Sequence, residues 1–111
     1  MSRFTYNLEF LYLTTTGRNS GQPREIEIWY VEHEGRYYMV SEHRERSNWV
    51  QNIAHDPKVS FWVNGKTYQG TGRAVDPRAE PELAAAVSAL MEAKYRWSDG
   101  LIVELSPGQA S

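Results

Sequence analysis

Two dipeptides, Glu34-Gly35 and Asn64-Gly65, fix most of what this chain can fold into, because each stands between runs rich in aromatic and β-branched residues. Pairs of this kind tolerate the positive φ that a two-residue hairpin turn requires, and such turns join antiparallel neighbours. Parallel strands would need crossovers of a dozen residues or more. The runs flanking each dipeptide must therefore pair antiparallel, and a doubly wound parallel sheet is disfavoured.

The remaining elements follow from their own signals. EFLYLTTT, residues 9–16, reads as a strand ending at Gly17. Residues 24–32 alternate, with Ile26, Ile28 and Tyr30 on one face and Glu25 and Glu27 on the other. A third strand covers 36–40. Asn48 followed by Gln51 has the pattern of an N-cap with a glutamine reaching back, which predicts a short helix over 49–55. Asp56-Pro57 stops it. Strands are expected over 58–63 and 66–75. A longer helix opens at Pro81, with Leu83, Val87, Leu90, Met91 and Lys94 at helical spacing. A last strand covers 101–105. About six strands with one short and one longer helix predict a mainly β (α+β) domain spanning residues 1–111, a closed or half-closed antiparallel barrel.

Composition excludes several function classes. The 111 residues carry a net charge of −2, so no global field favours nucleic acid or anionic lipid. Without cysteine there is no disulfide, thiolate metal site or cysteine nucleophile. MSRFTYNLEF has no apolar run suited to a signal peptide, and no stretch could span a membrane as a helix, so a cytoplasmic protein is expected. His33, His43 and His55 lie far apart at no metal-ligating spacing. Four Trp and seven Tyr are many for this length. They fill a small barrel, or stack on a planar ligand where they face a cleft.

Two loops stand out. TTTGRNSGQPRE, residues 14–25, combines Thr14, Thr15, Thr16 and Ser20 hydroxyls with Arg18 and Arg24, and its glycines expose backbone N–H groups. SEHRERSNW, residues 41–49, brings Ser41, Arg44 and Arg46 close to Trp49. Each is either a solvated turn or part of an anion cradle. If the barrel closes, both loops can share one rim and hold an anionic, aromatic ligand. With no evident nucleophile, metal site or acid–base pair, such a chain fits a cofactor binder in which the cofactor brings the chemistry.

LTTTGRNSGQPRE, IWYVEHEGRYYMV and NWVQNIAHDPKVSFWVNGKTYQGTGRAV together resemble the deazaflavin-dependent nitroreductases, split-barrel flavin proteins similar to pyridoxamine phosphate oxidase. The resemblance covers residues 10 to 76 and implies a split antiparallel β-barrel. It also implies coenzyme F420, a deazaflavin with a phosphate and an oligoglutamate tail, or FMN in its place. Carried over by motif, Arg18, Ser20, Gly21, Gln22 and Arg24 would meet the cofactor's phosphate or tail. Val40 and Ser41 would offer backbone groups beside the ring, and Trp49 and Asn52 would complete the site from the short helix. Arg44 and Arg46 would take the place of family lysines, since Asn19 stands where many members have lysine. The implied reaction passes hydride to a nitro, quinone or other conjugated small molecule, with no catalytic side chain and no metal. A non-catalytic carrier of a flavin or deazaflavin is the alternative. A homodimer is expected, with no nucleic-acid or membrane partner. Tyr95 and Trp97 either line the acceptor pocket or pack.

Overall fold

The protein is described by a computed structural model covering residues 6–108. Its elements are β1 (Leu11–Thr16), β2 (Pro23–Ile28), β3 (Val31–His33), β4 (Arg36–Ser41), α1 (Asn48–His55), β5 (Lys58–Val63), β6 (Lys66–Ala74), α2 (Pro81–Tyr95) and β7 (Leu101–Pro107). A 3-10 turn, Arg44–Arg46, precedes α1. The strands form one antiparallel sheet in the order β2-β1-β5-β6-β7-β4-β3, curled into a split half-barrel. Both predicted hairpin turns form, with φ of 53° and 81° at Glu34-Gly35 and 53° and 86° at Asn64-Gly65.

The expected strand over 24–32 is two strands. Ile28 ends the pairing of β2 with β1, and Val31 begins the pairing of β3 with β4 at the opposite edge of the sheet. Trp29 and Tyr30 therefore carry the chain across the split. The alternation shifts phase at the break, from Ile26 and Ile28 in β2 to Val31 and His33 in β3, across the apolar run from Ile28 to Val31.

Two apolar clusters hold the sheet. Inside the curl, Leu11, Leu13, Tyr37, Met39, Phe61, Val63, Val103 and Leu105 pack with Val50 and Ile53 of α1. Outside it, Ala84, Val87 and Met91 of α2 cover Val31, Tyr38, Val40, Val75 and Ile102. β4 is thus buried on both faces. Leu90, expected on the apolar face of α2, is exposed, and Ala84 takes the inner position instead. A Cβ at Gly70 would stand 2.1 Å from the carbonyl oxygen of Ser106, so β6 and β7 approach more closely than any other residue would permit.

One polar network is buried with the outer cluster. Glu104 is 4% exposed. It accepts from Arg73 Nε at 2.8 Å and from the Tyr38 hydroxyl at 2.8 Å. Arg73, opposite Glu104 in the β6–β7 register, also forks onto Glu80 at 2.6 and 3.0 Å and so ties the start of α2 to the sheet. Burial alone would raise the Glu104 carboxyl, but the bonds from Arg73 and Tyr38 outweigh it and hold the group below the usual glutamate range. Burial, reinforced by the bond to Glu104, pushes the Tyr38 hydroxyl up to about 12.

Candidate functional site

The β1–β2 connection closes on itself. Gly17 N–H donates to the Gln22 carbonyl and Gly21 N–H to the Gly17 carbonyl, both at 2.8 Å. A Cβ on Gly17 would meet Ser20 Oγ at 2.8 Å and Gln22 O at 3.2 Å, so a larger residue would displace the Ser20 hydroxyl and crowd the tight return. Ser20 Oγ accepts from the Gln22 N–H at 3.1 Å and from Arg24 Nη2 at 3.3 Å.

Helix α1 holds this loop from below. Asn52 is 3% exposed; its Oδ1 accepts from the Arg18 backbone N–H at 3.1 Å and from Arg18 Nη1 at 2.9 Å. Its Nδ2 donates to Thr15 Oγ1 at 3.1 Å. Arg18 Nη2 reaches Asn48 Oδ1 at 3.3 Å. The N-cap of α1 is Ser47, not Asn48. Gln51 reaches back, but its amide donates to the carbonyls of Glu45 and Arg46 at 3.1 and 3.3 Å, bracing the 3-10 turn rather than capping an N–H. Ser47 Oγ lies 2.7 Å from Ser41 Oγ, which also donates to the Arg44 carbonyl, so the end of β4 is stitched to the start of α1.

Two cavities meet at this seam. The larger, about 820 Å³, is lined by Arg18, Asn19, Ser20, Arg24 and Glu25 of the first loop and strand, and by Arg46, Asn48 and Asn52. The smaller, about 610 Å³, is lined by Phe10, Ile28, Trp29, Val40, Met91 and Trp97, with Glu27, Ser41 and Glu42. His43, Ser47 and Trp49 line both, so the two form one groove with a cationic end and an aromatic end. Among the described residues, Arg18, Arg24 and Arg46 stand in no ion pair, whereas Arg44 and Arg73 are paired to carboxylates. The partners of Arg18 and Arg24 are amide, carbonyl and hydroxyl oxygens, which orient a guanidinium without cancelling its charge.

At the aromatic end, Trp29 is 42% exposed. It stacks on Tyr95 with centroids 4.4 Å apart and planes 4° apart, and meets Trp97 edge-on at 6.4 Å. The Tyr95 hydroxyl accepts from the Tyr30 N–H at 3.1 Å and donates to the Tyr30 carbonyl at 2.8 Å. It thereby satisfies the backbone where the chain leaves one sheet edge for the other. Tyr95 packs behind the wall while Trp97 lines it.

The groove gathers Arg18, Ser20, Arg24, Arg46, Trp49 and Asn52 at its cationic end, and Val40 and Ser41 at the aromatic end. Three expected residues stand elsewhere. Gly21, at φ +72°, lines a separate cavity of about 230 Å³ with Thr14, Thr16 and Lys58 on the other face of β1. Gln22 is exposed and lines neither part of the groove. Arg44, whose backbone turns to φ +55°, sends its guanidinium 3.1 Å from Asp99. Trp29, Phe10, Met91 and His43 line the groove without having been singled out for it. No group of three metal-ligating side chains occurs among the described residues, and no helix there is long and apolar enough to cross a membrane.

Comparison with known proteins bears on the family and the fold. The sequence model of the F420H(2)-dependent quinone reductase family matches residues 2–99. Among solved structures, an F420-H2 dependent reductase is similar at 25% identity and a TM-score of 0.64, covering 88% of this chain and 94% of its own. The heme storage protein HutZ from Vibrio cholerae is similar at 19% identity and a TM-score of 0.75, covering 94% and 84%. An FAD-binding protein from Mesorhizobium loti is similar at 12% identity and a TM-score of 0.71, covering 91% and 82%. Comparison with curated protein sequences returned no match.

Proposed function

The chain belongs to the F420H(2)-dependent quinone reductase family, and from that premise we propose that it is a reductase of reduced deazaflavin, passing hydride to a neutral conjugated acceptor such as a quinone or nitro compound. One observation carries this reading: three uncompensated arginines occupy one end of a groove whose other end is aromatic. That is the donor set a flavin-like cofactor with an anionic side chain requires, and it fits F420, with FMN as the alternative.

Arg18, Arg24 and Arg46 would hold the phosphate or tail by charge-assisted bonds, with the Ser20 hydroxyl beside them. Trp49, shared by both cavities, would flank the ring, and the backbone of Val40 and Ser41 would border it. When bound, the reduced cofactor supplies the hydride. The chain supplies position, an aromatic wall and fixed charge, which lower the barrier without a covalent step. Glu27 and Glu42 at the aromatic end disfavour an anionic acceptor there. Self-association into a homodimer completes the proposal. It is supported by the exposed apolar surface of Leu8 and Trp29, and light scattering that gives a monomer mass for the cofactor-loaded protein would remove it.

Fluorescence titration with F420 and FMN separately tests the reading. Saturable binding, tighter for F420, followed by oxidation of the reduced cofactor by a naphthoquinone or a nitroaromatic is the expected result. Failure to bind either cofactor would overturn it. Tight binding without turnover on any acceptor would assign a carrier instead.

A further inference from the structure

We infer that Thr15 and Asn52 are positioning residues for the anion cradle, acting through Arg18 rather than on the ligand. The inference rests on the cradle reading above. It assigns Asn52 a role different from direct cofactor contact, and it brings in Thr15, a residue with no place in the groove.

The geometry is specific. Arg18 presents only donors at both of its contacts with Asn52, the backbone N–H and Nη1, so the side-chain oxygen must face it and the NH2 must face Thr15. Both lone pairs of Oδ1 are then engaged by one residue. This fixes the backbone where the loop turns and aims the guanidinium along the groove. Thr15 is 2% exposed and faces inward from β1, where its hydroxyl takes the Asn52 amide and fixes that side chain's rotation. The pin thus runs from strand through helix to loop, across 37 residues of sequence between Thr15 and Asn52.

The chemistry of the pin matters as much as its shape. An amide oxygen orients an arginine while leaving its full charge for a ligand, whereas a carboxylate at the same place would orient it and neutralise it. Asn52→Asp separates the two effects. It would strengthen the hydrogen bonds to Arg18, and the Thr15 hydroxyl would turn from acceptor to donor to keep the pin, yet it should weaken cofactor affinity. A residue with a merely structural role would show no such split.

The experiment compares wild type, Asn52→Asp, Thr15→Val and Thr15→Ser as full chains. Thermal melting confirms folding, and Kd is measured for F420, for FMN and for inorganic pyrophosphate as a small anionic probe. Asn52→Asp should raise the cofactor Kd about tenfold to a hundredfold, the loss of one charge-assisted contact. Thr15→Val should raise it about threefold to tenfold by releasing the Asn52 rotamer, and Thr15→Ser should restore it. Should Asn52→Asp not fold, the Thr15 pair decides alone. Cofactor binding by wild type that is unchanged in Thr15→Val, or in a folded Asn52→Asp, would overturn the inference and leave the functional reading intact. Failure of wild type to bind any of the three probes would overturn both.

Discussion

Arg73 and Arg18 stand on opposite sides of the sheet and show two uses of the same side chain. Arg73 is covered by carboxylates: Glu104 and Glu80 take its guanidinium, and their bonds raise its pKa still further above the ordinary arginine range. Among the described residues, Arg18 hydrogen-bonds to Asn48 and Asn52 and to no carboxylate. Charge at the first is spent within the fold, tying α2 to β6 and β7. Charge at the second is held in place but left uncancelled, and it faces a groove. An arginine's partners, more than its exposure, therefore say whether it serves stability or binding.

Removing Glu104 should have the largest effect on the fold. Glu104→Ala should destabilise the fold by about 3 kcal/mol, because the Tyr38 hydroxyl and part of Arg73 lose a buried charged partner. Chemical denaturation measures this. Cofactor affinity in the folded fraction should not change, since the network lies outside the groove.

A smaller effect follows from pH. Glu104 is held below the ordinary glutamate range in the folded state, so the unfolded chain takes up its proton first as pH falls. The stability it contributes is present above about pH 4.5 and is lost as acidity increases through the folded value. Melting temperature should fall on acidification, and fall less steeply in Glu104→Gln. Equal slopes in the two proteins would place the acid sensitivity elsewhere.

Much of this arrangement was legible in the sequence, for reasons that differ by residue. The hairpins at Glu34-Gly35 and Asn64-Gly65 are local, set by backbone permission alone, and both form as expected. The break at Trp29-Tyr30 depends on which sheet edge each half finds, and the phase shift across Ile28 to Val31 does not say which edge that is. Asn48 has the side chain of an N-cap, but Ser47 holds the cap position and spends its hydroxyl on Ser41. Arg46 and Arg44 are two residues apart in one loop and look equivalent as sequence. Only the positive φ at Arg44 and the arrival of Asp99 from beyond α2 separate them. Tertiary partners assigned these roles, and no local pattern encodes them.

Arg44 and Arg46 should differ in binding as they differ in partners. Arg46→Ala should weaken F420 or FMN binding about tenfold, the size of one charge-assisted bond near the surface, while Arg44→Ala should leave it within about twofold. Equal losses in both would mean that the loop contributes charge diffusely and that the Asp99 pair opens in solution.

If uncompensated arginines at the cationic end of the groove hold an anionic cofactor, the Arg18→Ala, Arg24→Ala double variant should lose that binding in fluorescence titration with F420 and FMN. Two charge-assisted contacts contribute roughly 3–6 kcal/mol together, so affinity should fall by about a hundredfold or more, while the melting temperature, set by the Arg73 network and the two apolar clusters, stays near that of the wild type. Wild-type affinity in that variant would contradict the account and return the loop to an ordinary solvated turn.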